Sequence, residues 1–197
     1  MQQIKKRQNG ELFPYNIFLI GFMGSGKSTV SQWMKKRYGM ERIEMDQLIE
    51  KRQKMSISEI FRIYGEEYFR SLETDLLVEM QTKRNVVVSC GGGVPMRECN
   101  VQEMKKNGKV VLLTAAPQTI LERVRNSHDR PLLENHKDVG YISELMEKRR
   151  IKYEAAADVR IETDQKDMQE ICEEIIEKLQ KLEKGECPDA EESAACR

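Results

Sequence analysis

The stretch GFMGSGKS, residues 21–28, has the spacing G-x-x-x-x-G-K-S and directly follows the apolar run NIFLI. Gly24 and Gly26 let the backbone N–H groups around Ser25 turn inward about phosphate oxygens, and a helix opening after them adds partial positive charge. Lys27 is placed to neutralise the terminal phosphates of a nucleoside triphosphate, and the Ser28 hydroxyl to ligate Mg²⁺. Thr29 completes the nucleotide-binding set. A chance glycine-rich turn is the alternative, and the strand–loop–helix setting argues against it, so ATP binding is the first expectation.

Many proteins with this loop hold the metal through an Asp at the end of another apolar strand. Here the run VVV at 86–88 ends in Ser89, Cys90 and then Gly91, Gly92 and Gly93, with no carboxylate. Glu44 and Asp46 in RIEMD are the acids on offer. Read as strand-end residues two apart, they point to one side. One then approaches the metal while the other accepts a hydrogen bond from a substrate hydroxyl. Two acids favouring a helix dipole are the blander alternative. The three glycines are either a flexible turn or a backbone that something must approach closely.

These groups need a framework. Apolar runs at NIFLIGF, ERIEM, VVVSC, KVVLLT and DVRIET read as strands, and amphipathic segments between them read as helices. Ser56 with Glu59 forms a capping-box signal, Gly39 and Gly108 read as helix stops, and Pro117 as a helix start. A helix is expected over VPMRECNVQEMKKN. Alternation of this kind predicts an α/β fold: three layers, with a central parallel sheet covered by helices on both faces. Residues 1–13 read as a polar N-terminal extension, 14–184 as the folded domain, HDRPLLENHKDVG as a mobile loop, and 185–197 as a disordered tail.

The bulk numbers exclude more than they assign. Lys plus Arg and Asp plus Glu are equal at 33 each in 197 residues, so no net charge advertises nucleic acid or a membrane surface. No apolar run is long enough to span a bilayer. The five cysteines show no CxxC or metal spacing, which suits a reducing, cytoplasmic setting. His128 and His136 lack partners at metal spacing and read as solvated loop residues, while Trp33 reads as core.

The ordered set of the phosphate loop, the acid-x-acid pair, FRSLE, CGGG, RPLL and an arginine before KYEAAA resembles the shikimate kinases, from about residue 15 to 180. The resemblance implies an ATP- and Mg²⁺-dependent transfer of the γ-phosphoryl group to the 3-hydroxyl of shikimate, in chorismate and aromatic amino acid biosynthesis. It also implies a substrate-binding helical segment, a closing lid over about 126–140, and a monomer. By motif, Asp46 orients the hydroxyl and accepts its proton, Arg70 and Arg149 bind the carboxylate, Arg130 reaches the transferring group, and Arg123 stacks on adenine. Gly91, Gly92 and Gly93 would leave room for shikimate and the γ-phosphate. Two departures stand out. Glu44 falls where the family usually carries an Asp associated with Mg²⁺, so it acts directly or through water. The usual Pro after the second carboxylate-binding arginine is missing, which leaves Arg150 as a competitor to Arg149. A kinase for another small alcohol, such as gluconate, and a nucleotide-binding regulatory module without catalysis are the rival readings.

Overall fold

A computed structural model of the chain describes residues 11–125 and 138–188. Within them the strands are β1 (Asn16–Ile20), β2 (Glu41–Glu44), β3 (Val86–Ser89), β4 (Gly108–Thr114) and β5 (Val159–Glu162). They form a parallel sheet in the order β2-β3-β1-β4-β5. The helices are α1 (Lys27–Tyr38), α2 (Met45–Gln53), α3 (Ile57–Glu79), α4 (Glu98–Asn107), α5 (Pro117–Val124), α6 (Val139–Ala156) and α7 (Met168–Glu183).

Because side chains alternate across a strand, β1 feeds two cores. Phe18 and Ile20 pack with Met45, Ile60, Leu77, Met104 and Ala156 under α2, α3, α4 and α6. Ile17 and Leu19 pack with Val30, Met34, Ile171 and Ile175 under α1 and α7. All five β1 residues are buried, as a strand covered on both faces requires. Leu12 and Phe13, at the end of the stretch read as a lead-in, are buried in the second core, and their backbone N–H groups donate to Asn85 Oδ1 at 3.2 and 3.3 Å.

The local signals for α3 hold in detail. Ser56 and Glu59 form the reciprocal capping box, and Gly65 interrupts the helix at φ 82°, ψ 171°. Three expectations are corrected. The segment after the glycines opens as a 3-10 turn, Val94–Met96, before α4 begins at Glu98. Gly108 is no helix stop: it is extended at φ −152° and opens β4, where a Cβ would lie 2.3 Å from the Phe18 ring. Asp46 is not extended either. β2 ends at Glu44, and Asp46 lies in the first turn of α2.

Candidate active site

The phosphate loop joins β1 to α1. Gly26 caps the helix in the left-handed region at φ 100°, a conformation that side chains disfavour. Lys27 Nζ donates to the carbonyls of Gly21 at 2.9 Å and Phe22 at 3.0 Å, which aims its ammonium into the loop. Ser25 is buried, and its hydroxyl has no hydrogen-bond partner among the described residues. Ser28 and Thr29 sit exposed on the first turn of α1. Arg123 reaches the loop from α5: Nη1 donates to the Gly24 carbonyl at 3.3 Å and to Thr163 Oγ1 at 2.9 Å, and Nη2 to the Thr163 carbonyl at 3.0 Å.

Glu44 closes the side where a metal is expected. Its Oε2 accepts from Ser28 Oγ at 2.9 Å, and its Oε1 accepts from Arg42 Nη2 at 2.7 Å. Ser31 Oγ lies 2.8 Å from the same Oε1. No group of three or more His, Cys, Asp or Glu suited to a metal ion exists among the described residues. One hydroxyl beside one carboxylate still fits Mg²⁺, a hard cation that takes its remaining ligands from phosphates and water.

Asp46 borders the same cleft as these groups, near Lys27 and Glu44. Solvent reaches it, but protein surrounds it closely enough that desolvation raises its pKa above the usual carboxylate range. The nearby Lys27 charge opposes that rise and Glu44 adds to it. Glu73, from α3, is fully buried, and desolvation pushes its pKa up to about 7 against the pull of Arg70. Its Oε2 accepts from Arg70 Nη1 at 2.8 Å, while its Oε1 has no partner among the described residues. Glu66 holds the other flank of Arg70, accepting from Nε at 3.2 Å and Nη2 at 2.8 Å.

The glycine run is where these side chains meet. A Cβ at Gly91 would fall 2.9 Å from both Asp46 Oδ1 and Glu73 Oε1. One at Gly93 would fall 2.3 Å from Arg70 Nη1. At both positions the room is taken by the protein's own acids and arginine, rather than standing open for shikimate and the γ-phosphate. Gly92 differs: a Cβ there would be in ordinary contact, 3.6 Å from Arg149 Nη1 and 3.6 Å from Tyr153 Oη. None of the three has positive φ, so close approach accounts for Gly91 and Gly93 and backbone conformation does not.

Arg149 and Arg150 separate cleanly. Arg149 faces Gly92, with its guanidinium carbon 5.9 Å from the centre of the Phe22 ring. Arg150 pairs with Glu147 at 2.9 Å and Glu154 at 3.0 Å on the exposed side of α6. Tyr153 Oη donates to the Gly92 carbonyl at 2.7 Å and so ties α6 to the glycine run. Arg130, His128, His136 and most of the expected lid lie outside the described residues.

Sequence reasoning brought together Lys27, Ser28, Glu44, Asp46, Arg70 and the glycines, and missed Arg42, Ser31, Glu66 and Thr163. Arg42 had a legible signal, since it stands two residues before Glu44 on a strand and so shares its side. A cavity of about 640 Å³ between α4 and α6, lined by Pro95, Met96, Lys105 and Lys152 among others, holds none of the site residues. The chemistry sits instead in the open cleft at the C-terminal ends of the strands, the usual place for ligands in such sheets.

Comparisons with known proteins point to one family. The family model for shikimate kinase matches residues 23–180. The shikimate kinase of Sulfurihydrogenibium sp. strain YO3AOP1 is 41% identical over 166 residues, covering 84% of this chain and 98% of its own. The structure of shikimate kinase from Acinetobacter baumannii in complex with shikimate superposes with a TM-score of 0.78 at 30% identity, covering 85% of this chain and 94% of its own. A gluconokinase from Sinorhizobium meliloti 1021, with a TM-score of 0.54 at 18% identity over 88% of this chain and 95% of its own, shares the fold alone.

Proposed function

The chain belongs to the shikimate kinase family, and from that premise we propose a mechanism residue by residue. The enzyme is an ATP-dependent kinase that phosphorylates shikimate, and its role lies in the shikimate pathway. The observation that carries the mechanism is the convergence of Asp46, Glu73, Arg70 and Arg149 on Gly91–Gly93 at the mouth of the phosphate loop.

Lys27, the loop N–H groups and the start of α1 hold the triphosphate, and Arg123 braces the loop from α5. Arg70 and Arg149 hold the substrate carboxylate, a group suited to planar guanidinium donors. That anchorage directs the 3-hydroxyl at Asp46. The bond from the γ-phosphorus to the ADP oxygen breaks as the bond to the hydroxyl oxygen forms, and the hydroxyl proton passes to Asp46. A raised pKa suits this acceptor, because a base closer to neutrality is better matched to its task. Ser28 and Glu44 hold Mg²⁺, which when bound offsets charge on the phosphate oxygens. Arg130 adds to that stabilisation by motif. The same reading makes the protein a cytoplasmic monomer. No helix among the described residues is long and apolar enough to cross a membrane.

The test is ADP release from ATP and Mg²⁺ with shikimate, with gluconate and with no acceptor. Release confined to shikimate is the expected result. Folded, ATP-binding protein that releases no ADP with shikimate would overturn the reading.

A further inference from the structure

The two oxygens of the Glu44 carboxylate are used differently. Oε2 faces Ser28, whereas Oε1 is turned back toward Arg42 and Ser31. Arg42 Nε also donates to Ser31 Oγ at 2.9 Å, so the guanidinium spans both groups. Ser31 Oγ in turn lies 2.9 Å from the Ser28 carbonyl, which brings the network back to the phosphate loop. The side chains of Arg42 and Glu44 are only 20% and 11% exposed, and Ser31 is buried, so water competes little for these bonds.

The geometry has a simple origin. Arg42 and Glu44 alternate onto the same side of β2, the strand at the sheet edge. Ser31 stands one helical turn after Ser28 on α1 and faces that edge. A glutamate has one more rotatable bond than an aspartate and loses more freedom when a ligand fixes it. Here the fixing is done in advance, by partners on the oxygen that does not face Ser28.

We propose that Arg42, acting with Ser31, is a positioning residue for the divalent-cation site: it holds Glu44 Oε1 so that Oε2 is presented beside the Ser28 hydroxyl. The proposal rests on the reading of Ser28 and Glu44 as the metal-associated pair. Groups that orient a ligating side chain are worth about 10- to 100-fold in metal affinity. Removing Arg42 has a second effect of opposite sign, because losing a nearby cation favours a bound cation. The sign of the change therefore distinguishes anchoring from plain charge.

The experiment measures Mn²⁺ binding to the full chain in the presence of ADP by electron paramagnetic resonance. ADP affinity without metal and the unfolding temperature are recorded alongside. Arg42→Ala is expected to weaken Mn²⁺ binding about tenfold with metal-free ADP affinity unchanged. Arg42→Lys, which keeps the charge and one donor, is expected to weaken it less, and Ser31→Ala to shift it in the same direction. Tighter Mn²⁺ binding in Arg42→Ala overturns positioning in favour of charge alone. Unchanged Mn²⁺ binding with a lowered unfolding temperature reduces the network to a staple between β2 and α1. Absence of Mn²⁺ binding to the wild-type ADP complex overturns the metal site itself, and the proposal with it. Should Arg42→Ala not fold, Arg42→Lys and Ser31→Ala carry the same comparison.

Discussion

Asp46 and Glu73 reach the same point from different helices: a Cβ on Gly91 would stand 2.9 Å from an oxygen of each. Desolvation raises the pKa of both carboxyls, and the Asp46 charge adds to the rise at Glu73. Glu73 titrates at about 7 in the fold instead of near 4.5. Between those values the folded protein holds a proton that the unfolded chain has released, so the Glu73 contribution to stability is fully present below pH 4.5 and is lost as pH rises through 7. Asp46 contributes with the same sign. Urea unfolding at pH 5 and pH 7.5 is expected to show Glu73→Gln losing roughly 2–3 kcal/mol less than wild type over that interval. Equal losses would mean that Glu73 is ionised throughout.

The three glycines make a graded series. Alanine at 93 drives into the Arg70 guanidinium and is expected to raise KM for shikimate roughly 10- to 100-fold, the worth of a displaced charged hydrogen bond. Alanine at 91 wedges between Asp46 and Glu73 and is expected to lower kcat. Alanine at 92 meets only ordinary contacts inside the protein, so the fold tolerates it. Any loss of substrate affinity in Gly92→Ala then reports a ligand in that space. If all three variants behave alike, close packing against separate partners is the wrong account of the run.

Much of this was legible in the sequence because it is local. The phosphate loop, the Ser56–Glu59 capping box and the alternation of strands with helices each depend on residues within a few positions of one another. The misreadings came from contacts between distant segments. Gly108 looked like a helix stop because nothing near it in sequence reveals that the Phe18 ring needs the space. Asp46 was read as extended because the switch from strand to helix falls at Met45, in the middle of an apolar-acid alternation. The purpose of Gly91 and Gly93 was half visible: close approach was read correctly, but the approaching atoms belong to Asp46, Glu73 and Arg70.

Register assigns the carboxylate to Arg149 with Arg150 as its competitor, and the structure separates the two by direction. Arg149 faces Gly92 and Tyr153, whereas Arg150 is spent on Glu147 and Glu154 at the surface. Exposed pairs of that kind are worth little, because water and salt screen them. Arg149→Ala is therefore expected to raise KM for shikimate about tenfold or more, and Arg150→Ala to leave it within about twofold. The reverse order in steady-state kinetics would transfer the carboxylate-binding role to Arg150.

Asp46 carries the most demanding role, and its replacement separates chemistry from binding. Asn keeps the shape and can still accept a hydrogen bond from the substrate hydroxyl through its amide oxygen, but it cannot take the proton. Asp46→Asn is expected to lower kcat about 10²- to 10⁴-fold, the usual worth of a positioned base. ATP affinity should hold, because Lys27 and the loop carry that contact. KM for shikimate should change little, since Arg70 and Arg149 carry the anchorage. Loss of one carboxylate also relieves Glu73 of a neighbouring charge, so the Glu73 titration is expected to move down from about 7. A kcat within about tenfold of wild type would leave Asp46 as an orienting group only. The proton would then leave with water, and the elevated pKa at this position would be a consequence of crowding alone.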